Sequence, residues 1–486
     1  MPAKSAICLL ASEVEPLSKT GGLGDVAGAL TRYLHGAGHD VHTFTPCYAS
    51  IDRAACAAQP VEGLTAVPLA VGPHDYVFSL LRAQLPGGAP VYLIDCPALY
   101  ARSAIYTTDP DEHLRFLAFT RAALIACQRL RWAPQVIHCN DWHTAFAPLW
   151  LRSGFEHEPL FAHTRTLLTI HNVGYQGIFS ASHVADLDIP SSLLHQEDLA
   201  AGRINALRHG ILYADAVTTV SPTHAREICT DEYGMGLQDS LRARAAAGAV
   251  CGILNGVDYE EWDPRRDRYL PVHYSADDAR AKGELKREFL ARQRVTAPPG
   301  TPLLGLVSRL AVQKGIELMF EALPNVLSAR QLSFVALGTG EPQYEEFLRG
   351  LTRRFPGRVV FHCGYDDELA HWIEAAGDMF LMPSRYEPCG LNQMYSLRYG
   401  TVPVVRRTGG LADSVQQYER GRRSGTGVVF EEFSPQALEG ALHGALDLYG
   451  EPAHWARIMK NGMRKDFSWR RQGGLYVRLY ARLTAG

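Results

Sequence analysis

No apolar run in this chain approaches the ~20 residues that a membrane-crossing helix requires. The amino-terminal MPAKSAICLLASE has one lysine and a six-residue apolar stretch, too short for a secretory leader and the right size for a first strand. Positive charge is not in excess: 48 Lys and Arg face 51 Asp and Glu, a net charge of −3, which argues against a nucleic-acid partner. The ten cysteines include no C-x-x-C pair, so neither a zinc knuckle nor a disulfide framework is indicated. Reduced cytoplasmic thiols are expected, and Cys8, Cys127 and Cys251 lie among apolar neighbours. No internal repeat or low-complexity tract interrupts the chain. Neither G-x-G-x-x-G nor the P-loop pattern occurs, which weakens dinucleotide and ATPase readings.

What the chain does have is length and alternation. Its 486 residues exceed one ordinary core and point to two or three domains. Strand-sized apolar runs at Ile7–Ala11, Val41–Phe44, Tyr76–Ala83, Pro90–Ile94, Val136–His138, Arg165–Ile170 and Ala216–Val220 are interleaved with helical periods such as Ala27–Leu34 and Leu114–Leu130. A turn-rich, charged linker follows, with Ala297-Pro298-Pro299-Gly300 at its end. The alternation then restarts at Leu303–Val307, Ser333–Leu337, Arg358–Phe361, Met379–Met382 and Val402–Val405. Strands alternating with helices imply parallel sheets and right-handed crossovers. The expected fold is α/β: two doubly wound domains facing a central cleft. The first spans residues 1–250 and the second residues 251–454. An amphipathic helix from about 455 to 486 is expected to pack back on the first.

Chemistry gathers at strand ends, most densely between Asp378 and Asp413. There Met379–Met382 reads as a buried strand, Pro383–Pro388 as a turn, Gly390–Tyr399 as a helix stopped by Gly400, and Val402–Val405 as the next strand. Glu387 therefore falls between the carboxyl end of a strand and a helix start, where open parallel sheets bind ligands. The N–H groups of Cys389, Gly390 and Leu391 would face an anion or a sugar oxygen. A carboxylate also simply favours a helix N-terminus. Ser384, Arg385, Asn392 and Gln393 crowd the same loop, however, more hydrogen-bonding groups than a solvent loop needs.

Five other strand-end loops repeat the theme. Lys19-Thr20-Gly21-Gly22-Leu23-Gly24-Asp25 would bring Lys19 and the amides of Gly21 and Gly22 near a phosphate or an acceptor sugar, or else form a tight turn capped by Asp25. His138-Cys139-Asn140-Asp141-Trp142-His143 invites a metal reading. A zinc site needs three or four supported ligands, so no metal is assigned, and Asp141 beside Trp142 suits a sugar. His171 shares its loop with Asn172, Gly174 and Gln176. Arg309 and Lys314, in Ser308–Gly315, put two cations where a leaving diphosphate would gain charge in the transition state. Tyr365, in the weaker Gly364-Tyr365-Asp366 loop, could stack on a base.

Taken together, KTGGLGDV, IHNVGYQG, SRLAVQKG, and SRYEPCGLNQ followed by RTGGLAD resemble the bacterial glycogen synthases and plant starch synthases, in order and over almost the whole chain. The resemblance implies two Rossmann-like domains in the GT-B arrangement. It implies transfer of glucose from ADP-glucose to the non-reducing end of an α-1,4-glucan, such as glycogen or a malto-oligosaccharide, with retention and without cofactor or metal. Carried over by residue, Lys19 lies near the donor or acceptor, Asp141 and His171 hold the sugar, and Asn255 stands near it. Arg309 and Lys314 take the donor diphosphate, Glu387 is the key carboxylate, Thr408 and Gly409 meet the distal phosphate, and Tyr365 lies near adenine. Two positions depart from or qualify the pattern. Asn392 stands where the family more usually has Thr, and Tyr395 occupies the place of a second Glu found in many retaining GT-B relatives, which fits the glycogen synthase branch.

The mechanism implied is front-face transfer: the departing diphosphate oxygen takes the acceptor's proton while Arg309 and Lys314 hold its charge. No pair of carboxylates at short spacing supports a covalent nucleophile. The alternatives are a transferase using UDP-glucose or another acceptor, a phosphorylase-like enzyme needing a lysine-bound pyridoxal phosphate, and a non-catalytic glucan or nucleotide-sugar binder.

Overall fold

The computed structural model describes residues 4–485 and divides into two units: residues 1–256 with 469–486, and residues 257–468. The first is built on a ten-stranded sheet. From one edge, Val250–Gly252, Ala216–Thr219, Arg165–Ile170, Val136–Asn140, Ala6–Leu10, Asp40–Pro46 and Pro90–Asp95 run parallel. At the other edge His74–Gln84 pairs antiparallel with Pro90–Asp95, Gln59–Pro60 and Val67–Val71. The central strands are sealed on both faces. Val136–Asn140 is buried throughout, and Ile7, Leu9 and Leu10 are fully covered, as strands in a parallel sheet must be when helices lie on either side.

The second unit holds six parallel strands in the order Val359–Cys363, Ser333–Gly338, Leu303–Val307, Met379–Met382, Val402–Arg406, Val428–Phe430. Numbered along the chain this is 3-2-1-4-5-6, the Rossmann order, whose direction of winding reverses between strands 1 and 4. The first unit has the same reversal between Ala6–Leu10 and Val136–Asn140. Each unit is thus Rossmann-like, and each has a switch point at which the loops after its two central strands leave in opposite directions.

Several elements differ from what periodicity suggested. The antiparallel strand Val67–Val71 alternates buried and exposed residues, a period-2 pattern hidden in a short, wholly apolar-looking VPLAV. The ribbon Ile178–Ser180 with Arg203–Asn205 is too short to announce itself. The expected single terminal helix is two: Pro452–Met463 in the second unit and Trp469–Thr484 in the first. Between them the Val257 amide donates to the Phe467 carbonyl at 2.8 Å, so the chain leaves and re-enters the first unit at adjacent points, Gly256 and Trp469. The helix Trp469–Thr484 then buries Tyr476 and Tyr480, with the Tyr480 hydroxyl 2.8 Å from His138 Nδ1.

Candidate active site

In the second unit the switch point is where the sequence placed most of its chemistry. Met379–Met382 ends at Pro383, and Glu387 follows in a loop that buries its carboxylate to 4% exposure. Lys314 reaches it from the loop after Leu303–Val307, Nζ to Oε2 at 2.6 Å, and the Ser384 hydroxyl donates to the same oxygen at 2.9 Å. The meeting depends on Gly315. Its φ is +66°, and a Cβ there would stand 2.1 Å from the Pro383 carbonyl oxygen, so only glycine lets the Lys314 turn press against the Glu387 loop. Gly410 does the same from a third strand end. Its amide donates to the Glu387 carbonyl at 3.0 Å, and a Cβ would meet the Cys389 oxygen at 2.0 Å.

The surrounding residues form a lattice. The Gln313 side chain accepts from Arg309 at 3.4 Å and donates to the Tyr386 carbonyl at 3.4 Å. Arg385 pairs with Glu317 at 2.8 Å and lies over the Phe433 ring. Arg406 donates to the Arg385 carbonyl at 2.7 Å. Asn392, the departure noted above, donates through Nδ2 to the Val307 carbonyl at 2.7 Å. It ties the helix Asn392–Tyr399 to the end of the first strand. That helix begins after Leu391 rather than at Gly390, whose φ is +71°, and Gly400 ends it in the left-handed region as expected. Cys389, Thr408 and Gly409 are buried at the same strand ends. Tyr365 is not gathered in. It stands beyond the edge strand Val359–Cys363, 81% exposed, with its hydroxyl 3.3 Å from Asp367.

In the first unit the corresponding loops are built differently. Asp141 follows Val136–Asn140 with φ +55°, a costly conformation for a residue with a side chain. It does not cap the short helix after it; its Oδ1 instead accepts from the His171 amide at 2.7 Å. Burial pushes its carboxyl up to about 7 against the pull of the His171 and Asn172 amides. Burial pushes the His171 imidazole down to about 3, so this ring is neutral. The Asn140 side chain donates to the Leu10 carbonyl, which turns its oxygen toward His171 Nε2 at 2.9 Å. The proton therefore sits on Nε2, and Nδ1 is left as an acceptor. His138 bonds to Thr169 and Tyr480 through its two nitrogens, and Asn255 is buried at the last strand end of the unit.

The glycine-rich loop holds a residue that sequence reasoning missed. Glu13, 2% exposed, accepts from the Thr20 amide, the Thr20 hydroxyl at 2.8 Å, the Gly21 amide at 3.2 Å and the Tyr106 hydroxyl at 2.5 Å. The Gly21 amide thus already has a carboxylate partner, while Gly22 opens the helix Gly22–Gly36. Asp25 does not cap this helix; it pairs with Lys19 at 2.6 Å. The signal for Glu13 was present: a carboxylate three residues past a buried strand end, the rule that picked out Asp141 and Glu387.

Comparison with known proteins gives concordant results. The model of the starch synthase catalytic domain matches residues 6–243, and that of glycosyl transferases group 1 matches residues 288–462. Glycogen synthase of Thioalkalivibrio sulfidiphilus is 44% identical, covering 99% of this chain and 100% of its own. That of Myxococcus xanthus is 44% identical over 99% of each. The solved catalytic domain of starch synthase IV from Arabidopsis thaliana, bound to ADP and acarbose, superimposes with a TM-score of 0.91 at 31% identity, covering 100% of both chains. Sucrose-phosphate synthase from Thermosynechococcus elongatus, at 20% identity and a TM-score of 0.62, shares the fold alone.

Proposed function

The chain belongs to the glycogen synthase family of glycosyltransferases, and on that premise we propose that it transfers glucose from ADP-glucose to the non-reducing end of an α-1,4-glucan with retention. The observation that carries the reading is the buried Lys314–Glu387–Ser384 cluster at the switch point of the second unit. A lysine offers three donors, so Lys314 can hold Glu387 and still donate to a phosphate oxygen. Arg309, on the same loop, supplies the second cation. As the bond to the diphosphate lengthens, negative charge grows on the departing oxygen, and preorganised cations stabilise that state more than the ground state. The same oxygen takes the proton of the incoming glucan hydroxyl. Glu387 orients the glucose hydroxyls and offsets positive charge at the anomeric carbon. The Thr408-Gly409 segment, buried at the same strand ends, lines the place of the distal phosphate.

In the first unit, Asp141 and the neutral His171 suit a sugar rather than a phosphate, since an uncharged acceptor and a carboxyl group bond hydroxyls without calling for a counter-charge. Lys19 and Asn255 contribute further polar contacts to donor or acceptor, and Tyr365 a face for the adenine. No step of this scheme draws on a metal or an organic cofactor.

The test is incorporation of labelled glucose into glycogen, with ADP-glucose and UDP-glucose run in parallel. Strong transfer from ADP-glucose is expected. Transfer from UDP-glucose alone would overturn the donor assignment, and a folded protein that binds glucan but transfers from neither donor would overturn the catalytic reading.

A further inference from the structure

Away from both switch points, three histidines converge on one carboxylate. Asp186, 4% exposed, accepts through Oδ2 from His113 Nε2 and His183 Nδ1, both at 3.0 Å, and through Oδ1 from His74 Nε2 at 3.1 Å. The ligand atoms of His113, His183 and Asp186 all lie within 4.8 Å of one another. We propose that His113, His183 and Asp186 hold a divalent transition ion of the zinc type, with water in the fourth position and His74, bonded to the other carboxylate oxygen, orienting Asp186.

The donor set is the first support. Zinc takes nitrogen and oxygen ligands at ~2.0–2.1 Å in a tetrahedron, whose edges are then about 3.3–3.4 Å by the same geometry. The His113 and His183 separations from Asp186 Oδ2, both 3.0 Å, need to open by only a few tenths of an ångström. Three imidazoles around one carboxylate are also more than a simple ion pair requires, because a single negative charge is matched by one imidazolium. Replacing the two protons shared with Oδ2 by one dication satisfies the carboxylate and both rings, His113 and His183 each moving its proton to the nitrogen facing away.

The second support is how the ligands are held. His74 opens the strand His74–Gln84, His113 lies in the first turn of the helix Glu112–Arg129, and His183 and Asp186 belong to the 3-10 segment Ala181–Leu187. The turn before His74 is pressed onto this segment: a Cβ on Gly72 would stand 2.2 Å from the Ala185 carbonyl oxygen and 2.5 Å from Asp186 Cα. The His113 ring stacks on Phe179 at 4.6 Å. Three elements remote in sequence thus arrive preassembled. Three protein donors hold the ion and leave the fourth position to water, and the ion joins the long helix to the segment that follows the His171 loop.

Cobalt(II) is the probe, because it reports tetrahedral coordination by visible absorption. The untagged full chain, freed of metal by chelator, is titrated with Co²⁺ and then Zn²⁺. One equivalent of Co²⁺ is expected to give intense tetrahedral bands, which one equivalent of Zn²⁺ abolishes, and saturating Zn²⁺ is expected to raise the unfolding midpoint by about 5 °C. His183→Gln, altered at the half-exposed ligand and still able to donate to Asp186, should keep the metal-free midpoint and lose both responses. If that variant does not fold, His113→Gln is read in the same way. Absence of tetrahedral bands in the wild-type chain, bands of thiolate character, or bands that survive the substitution would each overturn the site.

Discussion

At the carboxyl ends of its central strands the second unit holds full charges. Lys314 meets Glu387, Arg385 meets Glu317, and Arg309 stands beside Gln313. The same place in the first unit is occupied by Asp141, with its carboxyl raised to about 7, and His171, with its imidazole lowered to about 3. Burial disfavours the charged form of both groups there, and hydrogen bonds tie them to the backbone or to Asn140. Two sheets of the same winding therefore offer two kinds of surface at the same topological position. Of the two cations offered to a diphosphate, Lys314 is already paired with Glu387, whereas Arg309 lies beside the neutral Gln313. A sugar requires acceptors and donors whose charge has been suppressed. The fold supplies the position; desolvation and pairing decide which ligand chemistry it fits.

The sharpest way to break this contrast is Glu387→Ala. Transfer is expected to fall by about 10³-fold, some 4 kcal/mol of transition-state stabilisation, with an unchanged far-ultraviolet spectrum. Near-normal turnover would remove the carboxylate from the reaction. Next comes Asp141→Asn, which tests whether the first unit's site is held neutral. Folded Asp141 keeps its proton up to about pH 7, whereas the unfolded chain releases it near 3.8. The wild type should therefore lose stability relative to the variant as pH rises from 4 to 7, and the difference should level off above 7. The total approaches ~4 kcal/mol at about 1.4 kcal/mol per pH unit. Denaturant midpoints of both proteins across that range check it, and a constant offset would show that Asp141 is ionised throughout.

Arg309→Ala should lower kcat/KM for ADP-glucose by ~10²-fold. Among the described residues its side chain makes one long hydrogen bond, to Gln313 at 3.4 Å, so the melting temperature should hardly move. A loss under threefold would leave Lys314 as the cation that matters. The mildest change is Asn392→Thr, which removes the bond to the Val307 carbonyl and restores the residue more usual in the family. A stability loss of about 1 kcal/mol with a change of only a few-fold in kcat is expected. A tenfold gain in kcat would mean that the amide, not the strand tie, is what that position contributes.

Much of this was readable in one dimension because strand length, helical period and glycine punctuation are local properties. Met379–Met382, Gly400 and Val402–Arg406 needed no partner to be recognised. Glu13 escaped because its role consists of amides and a tyrosine supplied from other parts of the chain, Thr20, Gly21 and Tyr106. Of the edge hairpin, the strand Val67–Val71 escaped because five apolar-looking residues do not reveal which face is wet. Tyr365 was picked from a strand-end loop like the others, yet its strand lies at the sheet edge, and strand order is not written in the order of the chain.

By itself, the sequence determined the alternation of strands and helices, the two Rossmann-like units and the residue types at each strand end, since these follow from periodicity and from the backbone's need for glycine at tight turns. Only the tertiary structure decided which charges neutralise which, that burial raises the Asp141 carboxyl to about 7 and lowers the His171 imidazole to about 3, and that the terminal helix starts at Trp469. Those outcomes depend on burial and on distances between residues far apart in the chain, and electrostatic energy is set by separation in space and by the local dielectric, neither of which a linear order contains.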